Sequence, residues 1–142
     1  MARLPARRAR RGANAVEFAL ILPIYCALMS GIFDYGWMFY YKSAMDSAVA
    51  YGCRQGSVVD PGLAEVNMAT VLSTAKSSMK SGITQYGATC DATCASTASA
   101  YGANPSRSLK CSLTRHWSPL FGFWTEGITL QSTTVMRLEW QR

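Results

Sequence analysis

Chemistry in this chain would have to come from a small set of residues: five cysteines, one histidine and eight carboxylates. Four of the cysteines, Cys53, Cys90, Cys94 and Cys111, follow a long apolar stretch and form an even set. In a small extracytoplasmic domain such a set reads as two disulfides, with three possible connectivities. Zinc is the competing chemistry, since Cys90 and Cys94 with Cys111 or His116 could supply ligands. The C-x-x-x-C spacing is not a zinc-knuckle pattern, however, and it also lacks the separation of a redox thiol pair. No Ser/His/Asp set is readable around the lone His116, and no phosphate-binding glycine loop follows a strand. The residues therefore point to no enzyme, no cofactor and no metal. The acid that demands an explanation is Glu17, which interrupts an apolar run five residues after Gly12.

The element that carries Glu17 is a membrane-length segment. Residues 13–33 are broken as polar residues only by Asn14, Glu17 and Ser30. At ~1.5 Å per residue, about 20 helical residues span a hydrocarbon core. Asp34 ends the run, and Tyr35, Trp37, Phe39, Tyr40 and Tyr41 follow, rings of the kind that favour the membrane–water boundary. Cys26 lies inside the run, as a small packing residue. The charge fits the same topology. Of 14 Lys and Arg in 142 residues, five (Arg3, Arg7, Arg8, Arg10, Arg11) precede Gly12, and the remaining nine face all eight acids. The formal charge of +6 thus belongs to a leader that holds the N-terminus inside, not to a nucleic-acid surface.

Three N-terminal signals share a basic start and an apolar core. A secretory signal needs a small-x-small site at the end of the core, where this chain has "GIFDYG". A lipoprotein signal needs small residues before a cysteine, where Cys26 follows Pro23, Ile24 and Tyr25. A prepilin-type signal is cut on the cytoplasmic side, after a glycine, and keeps a glutamate at mature position five. A cut after Gly12 makes Ala13 the new N-terminus and Glu17 the fifth residue. A carboxylate at bilayer depth costs roughly 2.5–3.5 kcal/mol at the centre and less near an interface. A partner amine on a second, staggered chain would offset that, and would make Glu17 a register pin for adding subunits.

The segment "GANAVEFALILPIYCALMSGIFDYGWMFYYKSAMDSAVAYGCRQGSV" resembles the TadE-like family of minor pilins, or pseudopilins, of tight-adherence (Tad/Flp) pilus systems. Gly12, Glu17, Phe18, Pro23, Gly31, Asp34, Tyr35 and Gly36 stand at the family's pattern positions. The likeness covers residues 12 to about 58. Trp37 departs from the Arg common there, and "AYGCRQG" replaces a more usual Arg-x-Gly-x-Arg. The resemblance implies a bitopic precursor of the inner membrane, processed by a prepilin peptidase between Gly12 and Ala13, with its head outside. It implies a role in assembling or priming the pilus, with Glu17, Phe18 and Pro23 at the subunit contact. The implied partners are other minor pilins, a major Flp-type pilin and the inner-membrane assembly platform. The reading from a different class is a permanently anchored single-pass envelope protein that binds a ligand or signals.

The remaining chain predicts an α+β head behind a pilin-like spine: leader 1–12, transmembrane helix 13–34, its external continuation 35–55, and head 56–142. Pro23 predicts a kink. Trp37, Tyr41, Ala44, Ala48 and Tyr51 recur at helical spacing, and the small residues there invite close packing by the protein's own sheet. Asp60-Pro61 predicts a helix start, with Ala64, Met68, Val71, Leu72, Ala75 and Met79 on its apolar face and Gly82 closing it. Residues 88–106, rich in Ala, Ser and Thr, read as a loop stapled by Cys90 and Cys94. Leu109, Cys111 and Leu113 alternate with polar residues in one strand. Ile128, Leu130, Met136, Leu138 and Trp140 share a face of another. Between these strands, Trp117, Leu120, Phe121, Phe123 and Trp124 form either a lid over the core, the preferred reading, or an exposed partner patch.

Overall fold

The computed structural model describes residues 7–59, 68–90, 94–102, 108–122 and 126–138. One unbroken helix, α1 (Arg7–Val58), runs from the leader through the apolar segment into the head, passing Pro23 on the way. A second helix, α2 (Met68–Gln85), and three strands follow: β1 (Cys94–Tyr101), β2 (Ser108–Trp117) and β3 (Ile128–Arg137). The strands form an antiparallel meander in the order β1-β2-β3. The fold is thus the expected α+β head on a long helix, with two disulfides.

The core lies between the outer part of α1, α2 and one face of the sheet. Met45, Val49, Cys53, Val71, Met79, Ile83, Leu109, Leu113 and Leu138 are fully or almost fully buried there. The buried stripe of α1 is Ala44, Met45, Ala48, Val49, Gly52, Cys53 and Gly56. This is rotated from the predicted face, and Trp37 and Tyr51 stay exposed at its margins. The small residues of α1 receive α2 and, at Gly56, also Leu109 of the sheet. A Cβ on Gly52 would lie 2.6 Å from the Met79 nitrogen and 2.9 Å from the Ala75 carbonyl oxygen. A Cβ on Gly56 would lie 2.7 Å from the Ala75 Cβ. Close backbone approach of this kind is available only to glycine.

Helix α2 buries Val71, Ala75 and Met79 as its spacing predicts, and extends past Gly82, which is itself buried against Ala48 and Tyr51. The stop is Gly87 instead, at φ 77°. The Ala88 N–H donates to the Ile83 carbonyl at 3.1 Å and the Gly87 N–H to the Thr84 carbonyl at 3.0 Å. That pairing satisfies the last helical carbonyls around a left-handed glycine. The predicted start at Asp60-Pro61 lies outside the described residues.

Strand β1 corrects the reading of residues 88–106 as a loop. It pairs along its whole length with β2, from Cys94↔Arg115 to Tyr101↔Ser108. Cys94, Ser96 and Ala98 turn inward, half-buried, while Ala95, Thr97 and Ser99 are exposed. Alternation is present, but both faces are small and weakly apolar, so the period-2 hydrophobic signal is missing. In β2, Leu109, Cys111 and Leu113 are fully buried. In β3, Leu130 and Ser132 are buried, as is Leu138 just after it, whereas Ile128 is exposed and Trp140 lies outside the described residues. On the outer face, the Thr133 hydroxyl and the Gln131 amide reach Ser112 Oγ at 3.1 and 3.3 Å. Disulfides join Cys53 to Cys111 and Cys90 to Cys94. Cys26 is free and exposed.

Candidate functional site

The candidate site is the inner half of α1. Helical backbone runs through Gly12 and Ala13, and a Cβ placed on Gly12 would meet nothing within 4 Å. Its φ is not positive either. Glycine inside a helix is destabilising by roughly 0.5–1 kcal/mol relative to alanine. Neither packing nor backbone conformation in this chain rewards glycine at position 12, so the reason for it lies outside the fold.

Glu17 is exposed and makes no hydrogen bond or ion pair with any described residue. Its neighbours on α1 are exposed as well. From Val16 to Phe33, the large apolar side chains range from 36% exposed at Met29 to 70% at Leu20. Phe18 and Pro23 belong to this uncovered surface. A bare apolar helix of this length is long and apolar enough to cross a membrane. An apolar groove of about 390 Å³ runs beside Ala27, Leu28, Gly31, Ile32 and Tyr35.

The exposed run stops at Asp34, which is 3% exposed. Its Oδ1 accepts two backbone hydrogen bonds, from the Leu120 N–H at 2.8 Å and the Phe121 N–H at 3.1 Å. The connection between β2 and β3 is thereby folded down onto the helix at the last turn of the apolar run. Gly122, at φ 65°, turns the chain after it. This splits the predicted aromatic cluster. Trp117 is buried at 5% exposure and belongs to the core, so it is no partner patch. Leu120 and Phe121 are exposed, so they are no lid over the core. Phe123 and Trp124 lie outside the described residues.

A second tier of contacts fixes the helix just above. The Tyr40 hydroxyl donates to the Tyr86 carbonyl at 2.9 Å. Lys42 Nζ donates to the Gln131 carbonyl at 2.7 Å and pairs with Asp46 at 2.9 Å. Arg115 stacks over the Tyr41 ring at 4.4 Å and donates to the Thr89 carbonyl. In the sequence, Asp34 marks the end of the apolar run and a position of the family pattern, and neither points to these two tiers. An acid placed just where such a run ends, with a glycine-containing turn far downstream, was the available signal, but nothing local links the two.

The N-terminal half decides the comparison with known proteins. Residues 12–54 match the TadE-like protein family. The matched segment begins at the open glycine, includes Glu17, Asp34 and Gly52, and ends beside Cys53. A TadE-like segment implies association with a pilus system and with a membrane, and the one helix long and apolar enough to cross a membrane among the described residues is compatible with that. No match was found among curated proteins or solved structures.

Proposed function

We propose that this TadE-like chain is a minor pilin or pseudopilin, a structural protein that assembles or primes a tight-adherence pilus and is not an enzyme. A prepilin peptidase removes residues 1–12, leaving the helix of residues 13–34 in the inner membrane with the head outside. The new Ala13 amine of one subunit then meets Glu17 of a neighbour, another minor pilin or the major Flp-type pilin, as the helix leaves the bilayer. One observation carries this reading. An unrewarded helical glycine stands five residues before an unpaired carboxylate on an otherwise apolar, uncovered helix.

The test is the mass of the mature N-terminus in cells that make the pilus, together with a Glu17→Gln variant. A mature start at Ala13, and a Glu17→Gln chain that is trimmed normally but no longer joins its complex, is the expected result. An intact leader on the native protein would favour the permanently anchored envelope protein instead. Residues 13 and 17 also lie one helical turn apart on the same face. A Glu17→Gln variant that assembles normally and loses only subunit stability would place the ion pair within one chain and end the register-pin reading.

A further inference from the structure

We propose that the β2–β3 connection is a membrane-seating loop, with Leu120 and Phe121 entering the headgroup–acyl boundary of the same bilayer that α1 crosses. The inference rests on the reading of α1 as a membrane-crossing helix. The Asp34 clamp sets the level. Asp34 follows directly on Phe33, the last exposed residue of the apolar run, and holds the amides of Leu120 and Phe121 on one carboxylate oxygen. Where the outer boundary of the membrane lies at Asp34, the end of the apolar run, these two residues lie at it too.

Four further observations fit a lipid occupant. The side chains of Leu120 and Phe121 are 62% and 54% exposed, although Trp117, three residues earlier, is buried in the core. Residues 117–122, "WSPLFG", carry no ionisable side chain, so the segment adds no charge to that of Asp34. The backbone is prepared as well. An amide entering a water-poor layer must bring its own acceptor. Asp34 supplies that acceptor for both residues, and Pro119 has no N–H to satisfy. Tyr35, Trp37, Phe39 and Tyr40 expose their rings on the adjoining turns of α1, and aromatic rings favour this layer. A single helix leaves the head free to tilt relative to the membrane plane, and a second lipid contact restricts that tilt.

The test places a benzophenone side chain at position 121, 33 or 135 of the full chain, reconstituted in phosphatidylcholine–phosphatidylglycerol vesicles. Adducts are identified by mass after irradiation. Position 33 reports the crossing itself, and Val135, exposed on β3, reports the head away from the clamp. The expected result is lipid adducts at 121 within about twofold of those at 33, with background at 135, as a shared depth requires. Adducts at 33 without adducts at 121 overturn the loop proposal and leave the crossing intact. Adducts at 121 to a second copy of the chain overturn it in favour of a protein contact. No lipid adducts at either position overturn the crossing and the proposal together.

Discussion

Cys53, on the long helix, is bonded to Cys111, in the central strand, with the two Cα atoms 5.8 Å apart at a sequence separation of 58. The bond ties the spine to the middle of the sheet and lies fully buried. The second bridge, Cys90 to Cys94, closes a loop of only four residues. In the chain-entropy description, closing the longer loop is worth about 4 kcal/mol and the shorter about 2 kcal/mol. A Cys53→Ala/Cys111→Ala variant should therefore lose roughly twice the stability lost by Cys90→Ala/Cys94→Ala, read as urea midpoints of the full chain in detergent. The reverse order would show that the spine–sheet tie is not what stabilises the head.

The two classes of glycine on α1 should respond oppositely to alanine. Gly52→Ala pushes a methyl into the α2 backbone and should destabilise the head by about 1–3 kcal/mol. Gly36→Ala meets nothing within 4 Å and should be neutral or stabilise by up to about 1 kcal/mol. Thermal unfolding of both variants separates them. Equal losses would refute the close helix contact.

Gly12→Ala should likewise leave folding intact, because the site is open on every side. The helical signal in circular dichroism should hold or rise slightly. If processing is lost in that folded variant, the glycine is being read by another protein. Loss of folding would contradict the open environment seen around it.

Asp34→Ala should release the loop without melting the sheet. Hydrogen bonds to a charged group contribute about 1.5–3 kcal/mol each, so the Leu120 and Phe121 amides should lose most of their exchange protection. Amides of β2 and β3 should keep theirs. Hydrogen exchange followed by mass spectrometry reads this directly, and unchanged protection at 120 and 121 would dismiss the clamp.

What could be read from the chain alone follows from how each element announces itself. The membrane-length helix, the apolar face of α2 and the alternation in β2 are carried by large hydrophobic residues at regular spacing and appear in the structure, whereas in β3 Leu130 is buried but Ile128 is exposed. Strand β1 escaped notice because its two faces differ by little more than Ser against Ala, and pairing with β2 supplies what its own side chains do not. The core face of α1 was misplaced by about one residue position because exposed aromatics at Trp37 and Tyr51 outweighed Met45, Val49 and the glycines. Gly82 was taken as a stop because a glycine near a helix end usually is one, whereas here it makes room for Ala48. The Asp34 clamp spans 86 residues and no local pattern encodes it.

The unbroken course of α1 has a mechanical meaning. Its 52 residues make a rod of ~78 Å. The head grips that rod at Asp34, at Tyr40 to Lys42, and at Cys53. Because helical backbone is continuous from Arg7 to the grip, an axial pull of one residue's rise on the N-terminal end lifts the whole head by the same increment, as a piston lifts its load. Sideways compliance is greatest at Pro23, which offers no N–H to the Ala19 carbonyl. A subunit built this way transmits thrust along its length and bends most readily at one place.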